Sequence, residues 1–200
     1  MNATIKLEEE KHFPVLLTEI VNILSPQYGG TFIDCTFGNG GYSKKILENK
    51  KNYIVALDRD KDIYYSALKF KAKYKDRFKF YNTKFSQLNR IKLDKNNLRG
   101  IIFDLGYSTS QIKNSQKGLS FLDKGKLNMR MGMNDISAND IISNMGANNL
   151  TKVFKIFGEE KYSKKIAIEI VKKRQKKTIK TEDLVEIIDN IKKYQKKKNT

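Results

Sequence analysis

Residues 34–41, DCTFGNGG, place a carboxylate directly before a glycine-rich turn. A strand that ends in such a turn and continues into a helix allows a ligand to approach the backbone closely. Asp58 lies 18 residues beyond Gly40, at the predicted end of the next strand. A carboxylate at that position can accept hydrogen bonds from both hydroxyls of a ribose. Together these residues predict a binding site for a cofactor that contains a nucleoside.

Two kinds of cofactor fit such a site. A dinucleotide motif, G-x-G-x-x-G, holds a pyrophosphate at the helix N-terminus, but Ser43 stands where its third glycine is required. Asp34 repels a pyrophosphate, whereas its charge suits the amino and sulfonium groups of S-adenosylmethionine. The residues therefore favour S-adenosylmethionine over a nicotinamide cofactor. The other alternative is a glycine turn that serves packing only.

Asp104 follows an apolar run that predicts a fourth, central strand. In doubly wound sheets, ligands bind beyond the carboxyl ends of the strands, so we expect Asp104 beside the methyl group of the cofactor. An amine attached to an aromatic ring is a poor nucleophile because its lone pair is delocalised into the ring. A carboxylate that orients this amine lowers the barrier to methyl transfer. The alternative is a carboxylate that only caps the next turn.

The elements that position these residues follow from the sequence pattern. Short β-type runs alternate with helix-type segments through the first half, which is typical of an α/β protein with a parallel sheet. The predicted strands are 31–37, 53–57, 78–81 and 100–105, and the predicted helices between them are 43–49 and 61–75. Residues 118–135 lack periodicity and predict a loop. Helices are predicted from Ser137 onward, at 150–157, 159–176 and 181–191, before a charged tail that we expect to fray.

The composition adds a charge argument and several exclusions. Residues 161–200 hold 14 basic and 5 acidic residues, half of the formal net charge of +18. Such a region attracts polyanions, most commonly nucleic acid, although a lysine-rich composition from an AT-rich coding sequence is the alternative. With one cysteine and one histidine, disulfide frameworks and zinc sites are not expected. No apolar run is long enough for a membrane span, so we expect a cytoplasmic protein without metal.

The motifs taken together resemble one family, the ribosomal RNA small subunit methyltransferase H family. The matching segments are HFPVLL (12–17), DCTFGNGGYS (34–43), LDRD (57–60), DLG (104–106), Gln111, GLSF (118–121) and FGEE (157–160). They occur in the family order and at close to the family spacing, from about residue 12 to residue 190. Members of this family use S-adenosylmethionine to methylate N4 of a cytidine in 16S (small-subunit) ribosomal RNA.

The resemblance implies a fold and a set of site residues. Residues 1–114 are expected to form the first four strands of a Rossmann-like class I methyltransferase sheet, and residues 115–200 a helical, basic insertion that recognises substrate. The implied cofactor contacts are Gly40, Gly41, Tyr42, Asp58, Phe85, Asp104 and Gln111, with Asp104 also as the catalytic residue. Candidate contacts to RNA phosphates are Arg130, Lys172, Lys173 and Arg174. The expected partner is small-subunit ribosomal RNA or a 30S-type particle.

Several positions depart from the family pattern. Tyr42 replaces a usual histidine, and Asn39 replaces a usual arginine. Thr109 and Ser110 stand for a serine-proline step. Residues 128–132, NMRMG, stand for a D-M-R-M-D motif and lack both of its carboxylates.

The family also continues beyond the length of this chain and there supplies the last strands of the sheet. We therefore expect a C-terminally truncated sheet whose fourth strand forms an open edge with exposed apolar surface. Two functions follow. The first is an active methyltransferase, and the second is a catalytically inactive remnant that binds RNA or the ribosome.

Cys35 is expected to be a buried strand residue and His12 a structural one.

Overall fold

The computed structural model describes residues 14–122 and 126–198, so His12 lies outside the described residues. The chain divides into two compact units, residues 1–106 and 107–200. None of the described helices is long and apolar enough to span a membrane.

The first unit is an α/β unit built on one parallel sheet, as predicted. Its strands are β1 (Gly30–Asp34), β2 (Asn52–Asp58), β3 (Phe78–Asn82) and β4 (Leu98–Ile102), in the order β3-β2-β1-β4. Its helices are α1 (Leu17–Leu24), α2 (Gly41–Ile46) and α3 (Tyr64–Tyr74). Helix α1 was not predicted. Among the described strands, β4 lies at an edge of the sheet, as expected from the length of the family, and not in the centre as its apolar sequence predicted. It ends at Ile102, so Asp104 lies two residues beyond the strand.

Alternating side chains of the strands pack on the two faces of the sheet. Phe32 and Ile54 belong to the core on one face, and Ile33 and Val55 to the core on the other. Cys35 lies in the second core with 2% of its surface exposed, and burial raises the pKa of its thiol to about 11. The thiol is therefore protonated and inert at neutral pH, which confirms that Cys35 is a buried packing residue.

The position of β1 determines where a ligand can bind. β1 pairs with β2 on one side and with β4 on the other, all parallel. The strand order therefore reverses at β1, and the crevice at such a switch point, beyond the carboxyl ends of the strands, is where α/β sheets bind ligands. The turn after β1 and the segment after β4 meet this crevice.

The second unit is helical in its regular elements. It contains α4 (Thr109–Lys113), α5 (Ala138–Asn144), α6 (Ala147–Ile156), α7 (Ser163–Arg174) and α8 (Thr181–Lys198). The predicted capping box is present, because the Ser137 side chain accepts from the backbone of Asp140 and the Asp140 side chain accepts in return. Leu150, Ile166 and Ile170 are buried in its core. Residues 118–122 and 126–135 form neither helix nor strand, as predicted.

The end predicted for the last helix was wrong. Helix α8 continues through Lys198 instead of ending near residue 191 and fraying. The sequence explains the extra turns, because lysine and glutamine, which dominate residues 192–198, are good helix formers.

Candidate functional site

The turn after β1 has an open backbone at Gly38. This residue has a positive φ of 51°, and a Cβ atom placed on it would meet nothing closer than the carbonyl oxygen of Thr36, at 3.8 Å. Its N–H donates to Oδ2 of Asp58 at 2.8 Å. Gly38 therefore presents bare backbone at the crevice while fixed to the end of β2. The sequence did not single out Gly38 as a contact residue, although it lies in the glycine-rich motif.

Gly40 and Gly41 are required by packing. Gly40 has a φ of 76°, and a Cβ there would overlap the rings of Phe37 and Phe70. At Gly41, a Cβ would overlap the ring of Pro14. The packing role that we considered for the glycine turn thus applies to these two residues. Their contact with a cofactor stays a prediction.

Asp58 is half-buried at the end of β2, and backbone donors fix its carboxylate. Oδ2 accepts from Gly38, and Oδ1 accepts from the N–H of Asp60 at 2.8 Å. Burial raises the pKa of Asp58, and the backbone hydrogen bonds act against this rise. Each carboxylate oxygen can accept a further hydrogen bond. The geometry therefore suits a carboxylate that accepts two neighbouring hydroxyls.

Asp34 is placed differently from our interpretation of the sequence. Its side chain is fully buried, with Oδ2 accepting from the hydroxyl of Ser43 at 2.7 Å and Oδ1 accepting from the N–H of Thr36 at 3.3 Å. It therefore does not contact a ligand directly, because packing at the start of α2 covers it. The departure from a dinucleotide motif at Ser43 is also explained, since its hydroxyl partners this carboxylate.

The burial of Asp34 gives a pH-dependent stability. Burial raises the pKa of Asp34 from 3.8 to about 6. At a pH between these two values, the carboxyl group is protonated in the folded state but ionised in the unfolded state. Stability therefore falls as the pH rises through this window. The amide introduced by Asp34→Asn has no such proton to lose. The difference in unfolding free energy between Asp34→Asn and wild type should therefore be about 2 kcal/mol more favourable to the variant at pH ~7.5 than at pH ~4.5. Urea denaturation at both pH values tests this, with the exposed Asp76→Asn as control. An equal difference at both pH values would contradict it.

Asp104 lies exposed beyond β4, and a side chain from the turn after β1 holds its backbone. The N–H of Asp104 donates to Oγ1 of Thr36 at 2.8 Å. The Tyr42 hydroxyl, which donates to the carbonyl of Val15, lies close to Asp104. Burial raises the pKa of Tyr42, and the negative charges of Asp104 and Asp34 raise it further. Tyr42 and Asp104 line a cavity of about 180 Å³ whose other walls are apolar.

An aromatic pair crosses the carboxyl edge of the sheet. Phe85 follows β3, Phe103 follows β4, and these strands form opposite edges of the sheet. Their rings nevertheless contact edge to face, with centroids 5.5 Å apart. Both rings are exposed, by 41% and 49%, so they retain surface for a flat ligand. Phe103 was not among the residues predicted from the sequence, where its position directly before Asp104 was the available signal.

Gln111 belongs to the second unit and has a structural role there. It forms a capping box with Ser108 at the start of α4, in which Oε1 of Gln111 accepts from the N–H of Ser108 at 3.0 Å. The predicted cofactor contact of Gln111 stays a prediction.

The four candidate RNA contacts have different partners. Lys173 forms ion pairs with Asp183 at 3.0 Å and with Glu186 at 2.6 Å. Arg174 donates to the carbonyls at the end of α5, those of Ile142 and Met145. These contacts compete with a phosphate. Lys172 is more exposed, and its Nζ lies 3.9 Å from Oε1 of Glu169, a long ion-pair distance. Arg130 is exposed as well, and its Nε donates to Asn128.

Asn128 replaces a carboxylate of the family motif and has a clear structural role. Its side-chain amide donates to the carbonyl of Gln116 at 3.0 Å, and its side-chain oxygen accepts from Arg130 at 2.7 Å. Gly132, at the other replaced carboxylate, has a φ of 60°. These two residues thus shape the loop that carries Arg130. In the ranges 14–122 and 126–198, no group of side chains is arranged to hold a metal ion.

The parallel sheet, the glycine turn at its switch point and the carboxylate at the end of β2 define a Rossmann-like α/β protein of the methyltransferase type. The chain belongs to the MraW methylase family, whose model matches residues 9–200.

Curated relatives agree with this assignment. The chain is 41% identical over 167 residues to ribosomal RNA small subunit methyltransferase H of Rickettsia bellii (strain OSU 85-389). The matched region covers 84% of this chain and 54% of the relative. The same identity holds over 187 residues for the enzyme of that name from Wolbachia sp. subsp. Drosophila simulans (strain wRi), covering 90% and 63%. It also holds over 172 residues for the one from Orientia tsutsugamushi (strain Ikeda), covering 85% and 54%. The chain thus spans little more than half the length of these relatives.

Proposed function

We propose that this protein is an S-adenosylmethionine-dependent methyltransferase that acts on N4 of a cytidine in small-subunit ribosomal RNA, in the cytoplasm. The observation that carries the proposal is the hydrogen bond of 2.8 Å from the N–H of Gly38 to Oδ2 of Asp58, at the switch point of the sheet. This bond places the open backbone of the turn beside a carboxylate that suits a ribose. The chain also belongs to a methylase family.

The charges around the crevice fit a cationic cofactor. Asp58 and Asp104 give this edge negative charge, and after burial their charges contribute to the raised pKa of Asp34. Such an edge repels a pyrophosphate and favours a sulfonium. Nicotinamide dinucleotides therefore fit this site poorly, and S-adenosylmethionine fits it well.

Each residue at this edge has a proposed task. Asp58 accepts the ribose hydroxyls, and Phe85 packs against the adenine, with Phe103 holding the ring of Phe85 from the side. Gly38, which we add to the set, gives the cofactor access to the backbone of the turn. The remaining proposed contacts are Gly40, Gly41, Tyr42, Asp104 and Gln111.

Asp104 is the proposed catalytic residue. When bound, S-adenosylmethionine supplies a methyl group on a positively charged sulfur. The exposed carboxylate of Asp104 accepts a hydrogen bond from the exocyclic amine and aims its lone pair along the line of transfer. Asp104 would accept the proton that the amine loses on methylation and pass it to water, and the cofactor sulfur would keep the electron pair of its broken bond to carbon. The base must leave its stack to reach Asp104.

The helical unit is the proposed RNA-binding part. Lys172 and Arg130 are exposed there, and the region 161–200 is strongly basic. Because Lys173 and Arg174 already pair within the chain, we assign them a smaller contribution to phosphate binding. Phosphate contacts of this kind position RNA without reading its sequence.

A methyl-transfer assay tests this function. Purified chain is incubated with S-adenosylmethionine labelled in the methyl group, together with unmodified small-subunit ribosomal RNA or the small ribosomal particle. The RNA is then digested to nucleosides, and the expected product is N4-methylcytidine that carries the label. Label on another atom would contradict the proposed target. RNA binding without any transfer would support the second candidate, an inactive RNA-binding protein.

A further inference from the structure

The side chain of Thr36 continues the hydrogen-bond ladder of the sheet past its end. Regular pairing between β1 and β4 ends with the N–H of Cys35 donating to the carbonyl of Ile102 at 2.9 Å. Beyond it, the N–H of Asp104 donates to Oγ1 of Thr36 at 2.8 Å. A side-chain hydroxyl thus takes the place that a backbone carbonyl occupies within the ladder.

Thr36 is itself held in place by the buried part of the turn. Its N–H donates to Oδ1 of Asp34, and the other oxygen of that carboxylate accepts from the hydroxyl of Ser43. Three hydrogen bonds therefore run from Ser43 at the start of α2 through Asp34 and Thr36 to the backbone of Asp104. The inner end of this series of hydrogen bonds is shielded from solvent, because Asp34 is fully buried, whereas Asp104 at its outer end is exposed.

We propose that Thr36 is a positioning residue, which fixes the backbone of Asp104 and thereby aims its carboxylate at the crevice. The proposal rests on the proposed function for its catalytic consequence, but the hydrogen bond itself is independent of any cofactor. Because residues 36 and 104 each follow the end of one of two neighbouring strands, β1 and β4, the hydroxyl couples the glycine turn to the candidate catalytic carboxylate.

The first test measures amide hydrogen exchange at Asp104 by NMR without cofactor. In wild type, this amide is expected to be protected despite the exposed side chain. Thr36→Val keeps the branched shape but removes the acceptor, so exchange should become about five- to tenfold faster, and Thr36→Ser should restore protection. Thr31→Val, a substitution of the same kind within β1, is the control. An unprotected wild-type amide would overturn the proposal even if Thr36→Val fails to fold.

The second test separates positioning from cofactor binding. Thr36→Val should lower kcat for methyl transfer about tenfold or more while the dissociation constant of S-adenosylmethionine stays within about threefold, with Thr36→Ser close to wild type. Equal kcat values for Thr36→Val and wild type would overturn the proposal. If wild type transfers no methyl group, the proposed function fails, and the exchange experiment still decides whether Thr36 holds Asp104.

Discussion

Asp58→Ala is expected to weaken the binding of S-adenosylmethionine by at least about 100-fold. The carboxylate offers charged acceptors to both ribose hydroxyls, and each hydrogen bond to a charged group contributes about 1.5–3 kcal/mol. The substitution also removes the acceptor for the N–H of Gly38, so the turn loses its fixed position. Isothermal titration calorimetry on wild type and variant measures the effect.

Asp76→Ala provides the matched control for this experiment. It removes an equal charge from the short turn after α3, where the residue is exposed. The affinity of this control should equal that of wild type. If Asp58→Ala stays folded and binds within threefold of wild type, the ribose is not held by Asp58.

Asp104→Asn is expected to lower kcat for methyl transfer by about 100- to 1,000-fold, the range typical of a lost catalytic carboxylate. The amide nearly preserves the shape of the side chain, and the backbone hydrogen bond to Thr36 does not involve the carboxylate. Cofactor affinity should therefore change much less than kcat. Single-turnover kinetics with labelled cofactor separate the two quantities.

Asp94→Asn serves as the control for Asp104→Asn, because Asp94 is an exposed carboxylate in the segment before β4. Its kcat should match that of wild type. A folded Asp104→Asn protein with a wild-type kcat would contradict the role of Asp104, whereas equal losses of kcat and affinity would make Asp104 a cofactor ligand only.

The sheet could be predicted from the sequence because each strand is a short, continuous apolar segment bounded by turn residues. β2, for example, lies within one residue of its predicted limits at each end. The fourth strand was predicted at 100–105 but lies at Leu98–Ile102. An apolar residue at 103 or 105 looks the same in sequence whether it lies inside a strand or beyond its end. The pairing of β4 with β1 on an open edge agreed with the expectation from the family.

The candidate site was predictable only in part, because several of its contacts join distant parts of the chain. The bond from Asp104 to Thr36 spans 68 residues, and no local pattern marks a threonine as the acceptor. The contact of Phe85 with Phe103 similarly depends on how the segment after β3 crosses the sheet.

The partners of charged residues were equally invisible in the sequence. A run such as 172–174 looks like a phosphate-binding cluster until folding brings Asp183 and Glu186 to Lys173. Arg174 likewise finds its carbonyl partners on α5, about thirty residues earlier in the chain. The charge of Asp34 beside the glycine turn suggests a contact with a cationic cofactor, but the side chain is buried, with the hydroxyl of Ser43 as its partner.

A crystal structure of the chain with S-adenosylmethionine would test most directly the claim that one crevice holds the cofactor and presents its methyl group. The expected result has the ribose hydroxyls on Asp58, the cofactor backbone over Gly38, and the methyl group facing the carboxylate of Asp104. A cofactor bound elsewhere, or bound with its methyl group turned away from Asp104, would contradict the proposed mechanism.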